Sequence, residues 1–220
     1  MVLTKRNLLA AGLAVVSTRS MAQAWPTKPI RMIVPLAPGA TADIVARVFA
    51  EELGKSLGQT VVVDNKTGAG GTIATAELAR APADGYTMGL VSQGTMVFNI
   101  GLYKTPGYDP LKDLAMVAVT GGVSNVLIVS PDNPARTVAD LLAQARAKPG
   151  ELTYSSGGVG TSHHMSGVLL ELRTGVKLQH VPYRATPAGI QAVANGEVAM
   201  GWFNTPTVIA GSAFDPALQF

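Results

Sequence analysis

The sequence predicts an α/β fold on a mostly parallel sheet, and three observations predict it. Short β-rich runs alternate with longer amphipathic ones from Pro26 onward, the pattern of βαβ units. Several of the short runs open into glycine-rich loops that lead to helix starts, as strand ends do in open α/β sheets. No repeat of fixed period and no low-complexity segment interrupts the alternation. The 196 residues from Trp25 onward can bury about 70% of their unfolded surface, enough for a core without staples. With no cysteine in the chain, stability rests on that burial. The length suits one large domain or two small lobes.

The first strand spans residues 30–34 and the first helix residues 41–57. Thr41 serves as N-cap, Asp43 sits in the positive first turn, and Ile44, Val45, Val48, Phe49 and Leu53 form one apolar face. Gly58 ends the helix. A strand at 60–64, a helix at 72–80 and a strand at 86–92 follow, the last opening into Gln93-Gly94-Thr95. Residues 114–119 and 125–129 read as two further strands, and Gly121-Gly122 between them marks the hinge and the lobe boundary. A helix from Thr137 carries a T-x-x-D capping box with Asp140 and stops at Pro149-Gly150. The second half continues with a strand at 152–155, a helix at 161–173, a strand at 178–181, a helix at 187–195 and a strand at 198–203. Residues 205–220 show no periodicity.

Residues 1–24 read as a secretory signal peptide: Lys5-Arg6, an apolar run from Leu8 to Val16, then Ala22-Gln23-Ala24 as the cleavage site. The apolar run falls well short of the roughly 20 residues that span a bilayer. Removing this segment takes away Lys5, Arg6 and Arg19, which leaves 14 of the 17 basic residues against 14 acidic ones. The mature chain is therefore neutral and has no basic cluster to track phosphates, so no nucleic-acid partner is expected.

Four strand ends share one design: PLAPGATAD at Pro35 to Asp43, NKTGAGGT at Asn65 to Thr72, SQGT at Ser92 to Thr95 and SGGVGTS at Ser156 to Ser162. Helix starts after such loops offer unpaired N–H groups to an anion. Phosphate fits poorly, because Gly160 is followed by Thr161 with no P-loop lysine, and Gly68-Ala69-Gly70 has Ile73 where a dinucleotide loop needs a third small residue. A small carboxylate is the better match for uncharged donors. Adjacent His163 and His164 point about 100° apart on a helix and cannot share a metal, so capping or solvent-facing roles are expected, and His180 is structural. No G-x-S-x-G elbow is present, and Asp64, Asp84 and Asp109 are explained by a strand end and two turns. Catalysis thus has no named residue, and neither a metal nor a cofactor is implied.

Six stretches in order resemble the Bug family, the periplasmic substrate-binding receptors of tripartite tricarboxylate transporters. They are WPTKPIRMIVPLAPGATAD from Trp25, GQTVVVDNKTGAGGTIAT from Gly58, DGYTM from Asp84, LYKTPGYDPLKDL from Leu102, KPGELTYSSGGVGTSHH from Lys148 and HVPYR from His180. The resemblance implies a two-lobed type II periplasmic binding fold, incomplete at the C-terminus, with lobes at 25–124 and 125–220. It implies a monomeric, non-enzymatic periplasmic receptor that clamps a small carboxylate and delivers it to the membrane subunits of such a transporter. Carried over by position, the ligand loops are Pro38, Gly39, Ala40 and Thr41 with Ser92, Gly94 and Thr95 in the first lobe, and Gly160, Thr161 and Ser162 in the second.

Three departures stand out. Ala40 replaces a second glycine. VAMGWFN stands where the family resembles VDLMFDN, so Phe203 and Ala199 replace acidic residues, which implies a less polar distal end for the ligand. Family members also continue past Phe220 and cross back to the first lobe. That implies a fragment, or a truncated product whose first lobe keeps an uncovered sheet edge and binds poorly. The alternatives are a non-functional remnant of such a receptor and an exported α/β enzyme acting on a carboxylated substrate.

Overall fold

The computed structural model describes residues 25–212. The expected signal segment at 1–24 and the last eight residues lie outside the described residues. Two sheets organise the chain. The first has strand order β2-β1-β3, all parallel, from β1 (Ile30–Val34), β2 (Val61–Asn65) and β3 (Thr87–Gly89). Ile30, Met32 and Val34 share one face of β1 because strand side chains alternate, and they pack with Ala46 and Ala50 of α1 (Thr41–Leu57). On β1, Arg31 bridges to Asp64 of β2 and to Glu77 of α2 (Thr72–Arg80), tying strand, neighbour and helix together.

The second sheet runs β4-β7-β5-β6, from β4 (Asn125–Val129), β5 (Thr153–Ser156), β6 (Gln179–Pro182) and β7 (Met200–Asn204). Only the β4–β7 pair is antiparallel, with Leu127 opposite Trp202. Its faces carry separate cores. Ile128 and Phe203 pack with Ile190 and Val193 of α6 (Thr186–Ala194) and with Val208 of α7 (Thr205–Ser212). Tyr154, Met200 and Trp202 face the other way, toward Leu141 of α4 (Val138–Ala147) and Leu170 of α5 (Ser162–Thr174). A fully buried Phe or Met side chain contributes about 1.5–3 kcal/mol, so these alternating positions hold the sheet between its helices.

The structure departs from the sequence expectations at five places. Ile44, Val48 and Phe49 of α1 are exposed, and the buried line is Ala46 and Ala50, because small residues let the helix lie close to β1. The N-cap of α1 is Ala40, without a side-chain cap, and Thr41 turns instead to Thr207, Oγ1 to Oγ1 at 2.6 Å. Residues 114–119 form no strand: Val117 and Val119 are 96% and 90% exposed, and a short apolar run alone cannot make a strand without a ladder partner. The unforeseen α7 lacks an amphipathic period because its position is set by packing of Thr207 and Val208, not by a polar face. A short π-helical turn (Gly94–Phe98) and α3 (Asn99–Leu102) follow β3, which is shorter than expected. Among the described residues no helix is long and apolar enough to cross a membrane.

The capping box of α4 forms as its sequence predicts: the Asp140 N–H donates to Thr137 Oγ1 at 3.2 Å, and the Thr137 N–H donates to the Asp140 carboxylate at 2.9 Å. Thr137→Ala is expected to lower unfolding stability by about 1 kcal/mol, read as an earlier midpoint in urea with an unchanged slope.

Candidate functional site

The two sheets meet through loops at their strand ends, and the contact is backbone on backbone. A Cβ added to Gly70 would lie 2.0 Å from the carbonyl oxygen of Val159, and one on Gly94 would lie 2.6 Å from that of Gly160. On Gly160 it would lie 1.8 Å from Asn99 Oδ1. Asn99 is fully buried, and its amide donates to the Gly70 carbonyl and to Thr72 Oγ1, both at 3.0 Å. Tyr103 adds a hydroxyl donated to the Val159 carbonyl at 3.3 Å. Three segments of the first half (68–71, 94–99 and Tyr103) thus seat on one loop of the second.

Loop 157–161 is held from within. Four of its N–H groups donate to acceptors in or directly flanking the loop: Gly157 to His163 Nδ1 at 3.3 Å, Gly158 to Ser156 Oγ at 3.0 Å, Gly160 to His164 Nδ1 at 3.3 Å and Thr161 to the Gly158 carbonyl at 3.3 Å. The expected capping role of the paired histidines is therefore what the geometry displays, with each ring serving a different glycine. Thr161 itself caps α5, accepting from the His164 N–H.

His163 is buried, and its Nε2 faces Asn204 Oδ1 at 3.2 Å. Because Nδ1 accepts from Gly157, the ring is the neutral Nε2–H tautomer that donates to Asn204. The Asn204 amide donates in turn to Asn125 Oδ1 at 2.7 Å, and that of Asn125 to Ser166 Oγ at 3.0 Å. Burial pushes His163 from 6.5 down to about 4, against the opposing hydrogen bond to Asn204. His180 is also pushed to about 4, by burial and then by His164, and its ring stacks between Tyr154 and His164.

Ser156 Oγ lies 2.7 Å from His180 Nε2, the spacing of a nucleophile and its base. Ser156 is fully buried, however, accepts the Gly158 N–H, and faces a ring whose basicity is low. The pair fastens the loop to β6. Among the described residues no group of three His, Asp or Glu side chains is arranged to hold a metal ion.

The residues expected from the sequence are placed in three groups. Gly94 and Gly160 meet directly across the lobes, and Thr95, also buried, accepts the Ser92 N–H while Ser92 stays exposed. Pro38, Gly39, Ala40 and Thr41 form a turn near the start of α6, with Gly39 (φ +79°) donating to the Asp43 carboxylate at 2.9 Å and approaching Pro187. Burial raises Asp43, but Arg47 and the Gly39 N–H outweigh it and hold the carboxyl below its usual range. Ser162 opens α5. Phe203 is fully enclosed in the core of the second sheet, 5.2 Å from His163 ring to ring, so the distal-end role expected of it is corrected. The sequence reading missed Gly70, Asn99, Tyr103 and Val159. The glycines of NKTGAGG were the available signal, whereas nothing local marks Asn99.

A family described as "Tripartite tricarboxylate transporter family receptor" matches residues 45–212. The chain is 38% identical over 190 residues to Protein BugT of Bordetella pertussis, covering 86% of this chain and 58% of BugT. It is 36% identical over 200 residues to a UPF0065 protein from the tcbD-tcbE intergenic region of a Pseudomonas species, covering 89% of this chain and 59% of that one. The chain thus spans somewhat under three fifths of the length of these relatives. Among solved structures, an R. palustris protein with adipate superposes with TM-score 0.84 at 35% identity, over 89% of this chain and 65% of that one. The periplasmic binding protein BugD superposes with TM-score 0.74 at 33% identity, over 85% and 64%. MatC of Rhodopseudomonas palustris with bound malate gives TM-score 0.82 at 26% identity, over 89% and 66%.

Because the folded state keeps His163 neutral, the unfolded chain takes up a proton that the folded chain refuses between about pH 6.5 and pH 4. Stability is expected to be full above pH 6.5 and to fall through that window by up to about 1.4 kcal/mol per pH unit from this residue. Urea titrations at stepped pH check the slope, and ¹⁵N shifts of the ring at pH 5 are expected to remain those of neutral imidazole.

Proposed function

The chain belongs to the tripartite tricarboxylate transporter receptor family, a family of solute-binding proteins, and on that premise we propose that it is a periplasmic receptor for a small carboxylate. The lobes are 25–124 and 125–220, and the ligand is held where their loops close on each other. The single observation that carries the reading is the glycine-on-carbonyl contact between the lobes, Gly70 on Val159 and Gly94 on Gly160. Surfaces shaped to meet with no side chain between them suit a cleft that shuts on a ligand and excludes water, and binding then shifts an open population to a closed one.

The uncharged loops support a carboxylate. Pro38 to Thr41 and Ser162 stand at helix starts, where first-turn N–H groups favour negative charge. Gly160 and Thr161 act mainly by shape, since their own N–H groups are occupied inside the loop. The relatives solved with adipate and with malate agree with an acid ligand. Delivery to transporter membrane subunits, by recognition of the closed form and without turnover of the ligand, completes the proposal.

Calorimetric titration with mono-, di- and tricarboxylates is expected to find saturable 1:1 binding of at least one class. Gly160→Ala, which forces a methyl against Asn99, is expected to weaken that binding by at least about tenfold while circular dichroism stays unchanged. No binding by any acid would refute the receptor reading, and full affinity in the variant would refute closure as drawn.

A further inference from the structure

The loop that meets the first lobe is pinned by imidazoles, and one of them stands where protons can reach it. His164, in the first turn of α5, accepts the Gly160 N–H on Nδ1 at 3.3 Å, and it is half-buried where His163 is enclosed. Accepting on Nδ1 makes it the neutral Nε2–H tautomer. Its ring stacks on His180 of β6 with centroids 4.3 Å apart, and on the far side of His180 lies Tyr154 of β5. Glu171, two turns further along α5, is the anionic group that faces it. Residues 157–161 carry no ionisable side chain, and from the first half of the chain the Tyr103 hydroxyl reaches the loop at Val159.

We propose that His164 is a proton-sensitive latch on lobe closure: taking up a proton turns its Nδ1 from acceptor to donor, releases the Gly160 N–H and withdraws the surface that the first lobe meets. The inference rests on the receptor reading and adds a condition under which the receptor shuts. Gly160 is the residue whose displacement matters most. Its carbonyl oxygen lies 2.6 Å from where a Cβ on Gly94 would stand, and a Cβ of its own would lie 1.8 Å from Asn99 Oδ1, so the fit between lobes tolerates little movement. A protonated Nδ1 would set two donors face to face across 3.3 Å. The new charge would also stand at the positive end of α5, which opposes it. Burial lowers the basicity of His164 and Glu171 partly restores it, whereas His163 and His180 are pushed down to about 4, so His164 is the first of the three to charge on acidification. The neutral ring belongs to the closed form. Closure is therefore unhindered above pH 6.5 and is lost as pH falls below it.

Nuclear magnetic resonance on the ligand-free protein follows the His164 ring and the Gly160 amide from about pH 7.5 to about pH 4.5. The Gly160 amide is expected to shift with the midpoint of His164, below pH 6.5. In His164→Asn, whose Oδ1 can take the place of Nδ1 and does not titrate, the amide is expected to stay in place. Calorimetry with the mono-, di- and tricarboxylate panel at about pH 7.5 and about pH 5 then compares each protein with itself. The acid's own ionisation is common to both, so the unsubstituted protein is expected to lose about threefold more affinity than His164→Asn between the two conditions. A Gly160 amide that ignores the His164 titration, or that moves equally in the variant, overturns the proposal. Equal losses of affinity in the two proteins also overturn it, while leaving the receptor reading in place. Binding of no acid of the panel at about pH 7.5 overturns both.

Discussion

Everything at the candidate site depends on two loops approaching until backbone touches backbone. Gly70 lies against the Val159 carbonyl and Gly94 against that of Gly160, at separations where one methyl group would collide. Gly160 also takes φ +84°, a conformation that L side chains rarely adopt. The glycine-rich loops are therefore explained by the contact between lobes more than by the binding of an anion within a single loop. Asn99 supports the contact from beneath, its amide bonded to Gly70 and its carbonyl oxygen beside Gly160.

The second-lobe side of that contact is rigid because its donors are spent internally. His163 and His164 accept from Gly157 and Gly160, and Ser156, itself fastened to His180, accepts from Gly158. This arrangement requires neutral imidazoles, since a protonated Nδ1 can only donate. Burial lowers the basicity of both rings, and the chain from His163 through Asn204 and Asn125 to Ser166 links the loop to the sheet and to α5. The loop's shape is thereby coupled to the core of its own lobe, and closure can use it as a fixed surface.

Much of the fold was legible because its signals are local. The alternation of strands and helices, Gly58 at the end of α1 and the Thr137–Asp140 box are each written within a few residues. The errors fall where a distant partner decides. Residues 114–119 form an apolar run like a buried strand but meet no ladder, and α7 is placed by packing that its own sequence does not encode. At the site, the four glycine loops were visible as a set. Which glycine faces which carbonyl was not visible, because that depends on how two sheets meet. Phe203 shows the limit of reading a substitution by position: the sequence placed it at a ligand's end, and strand alternation turned it into the core.

The central claim is that a carboxylate draws the two lobes together through these glycines. The chain has no cysteine, so Lys55→Cys on α1 and Lys177→Cys beside β6 would carry the only two spin labels, one in each lobe. Pulsed electron–electron resonance on this pair, with and without a saturating concentration of a carboxylate that binds, measures closure directly. A shift of the distance distribution to shorter, narrower values on ligand addition is the predicted result. Saturated binding with an unchanged distribution would contradict the account.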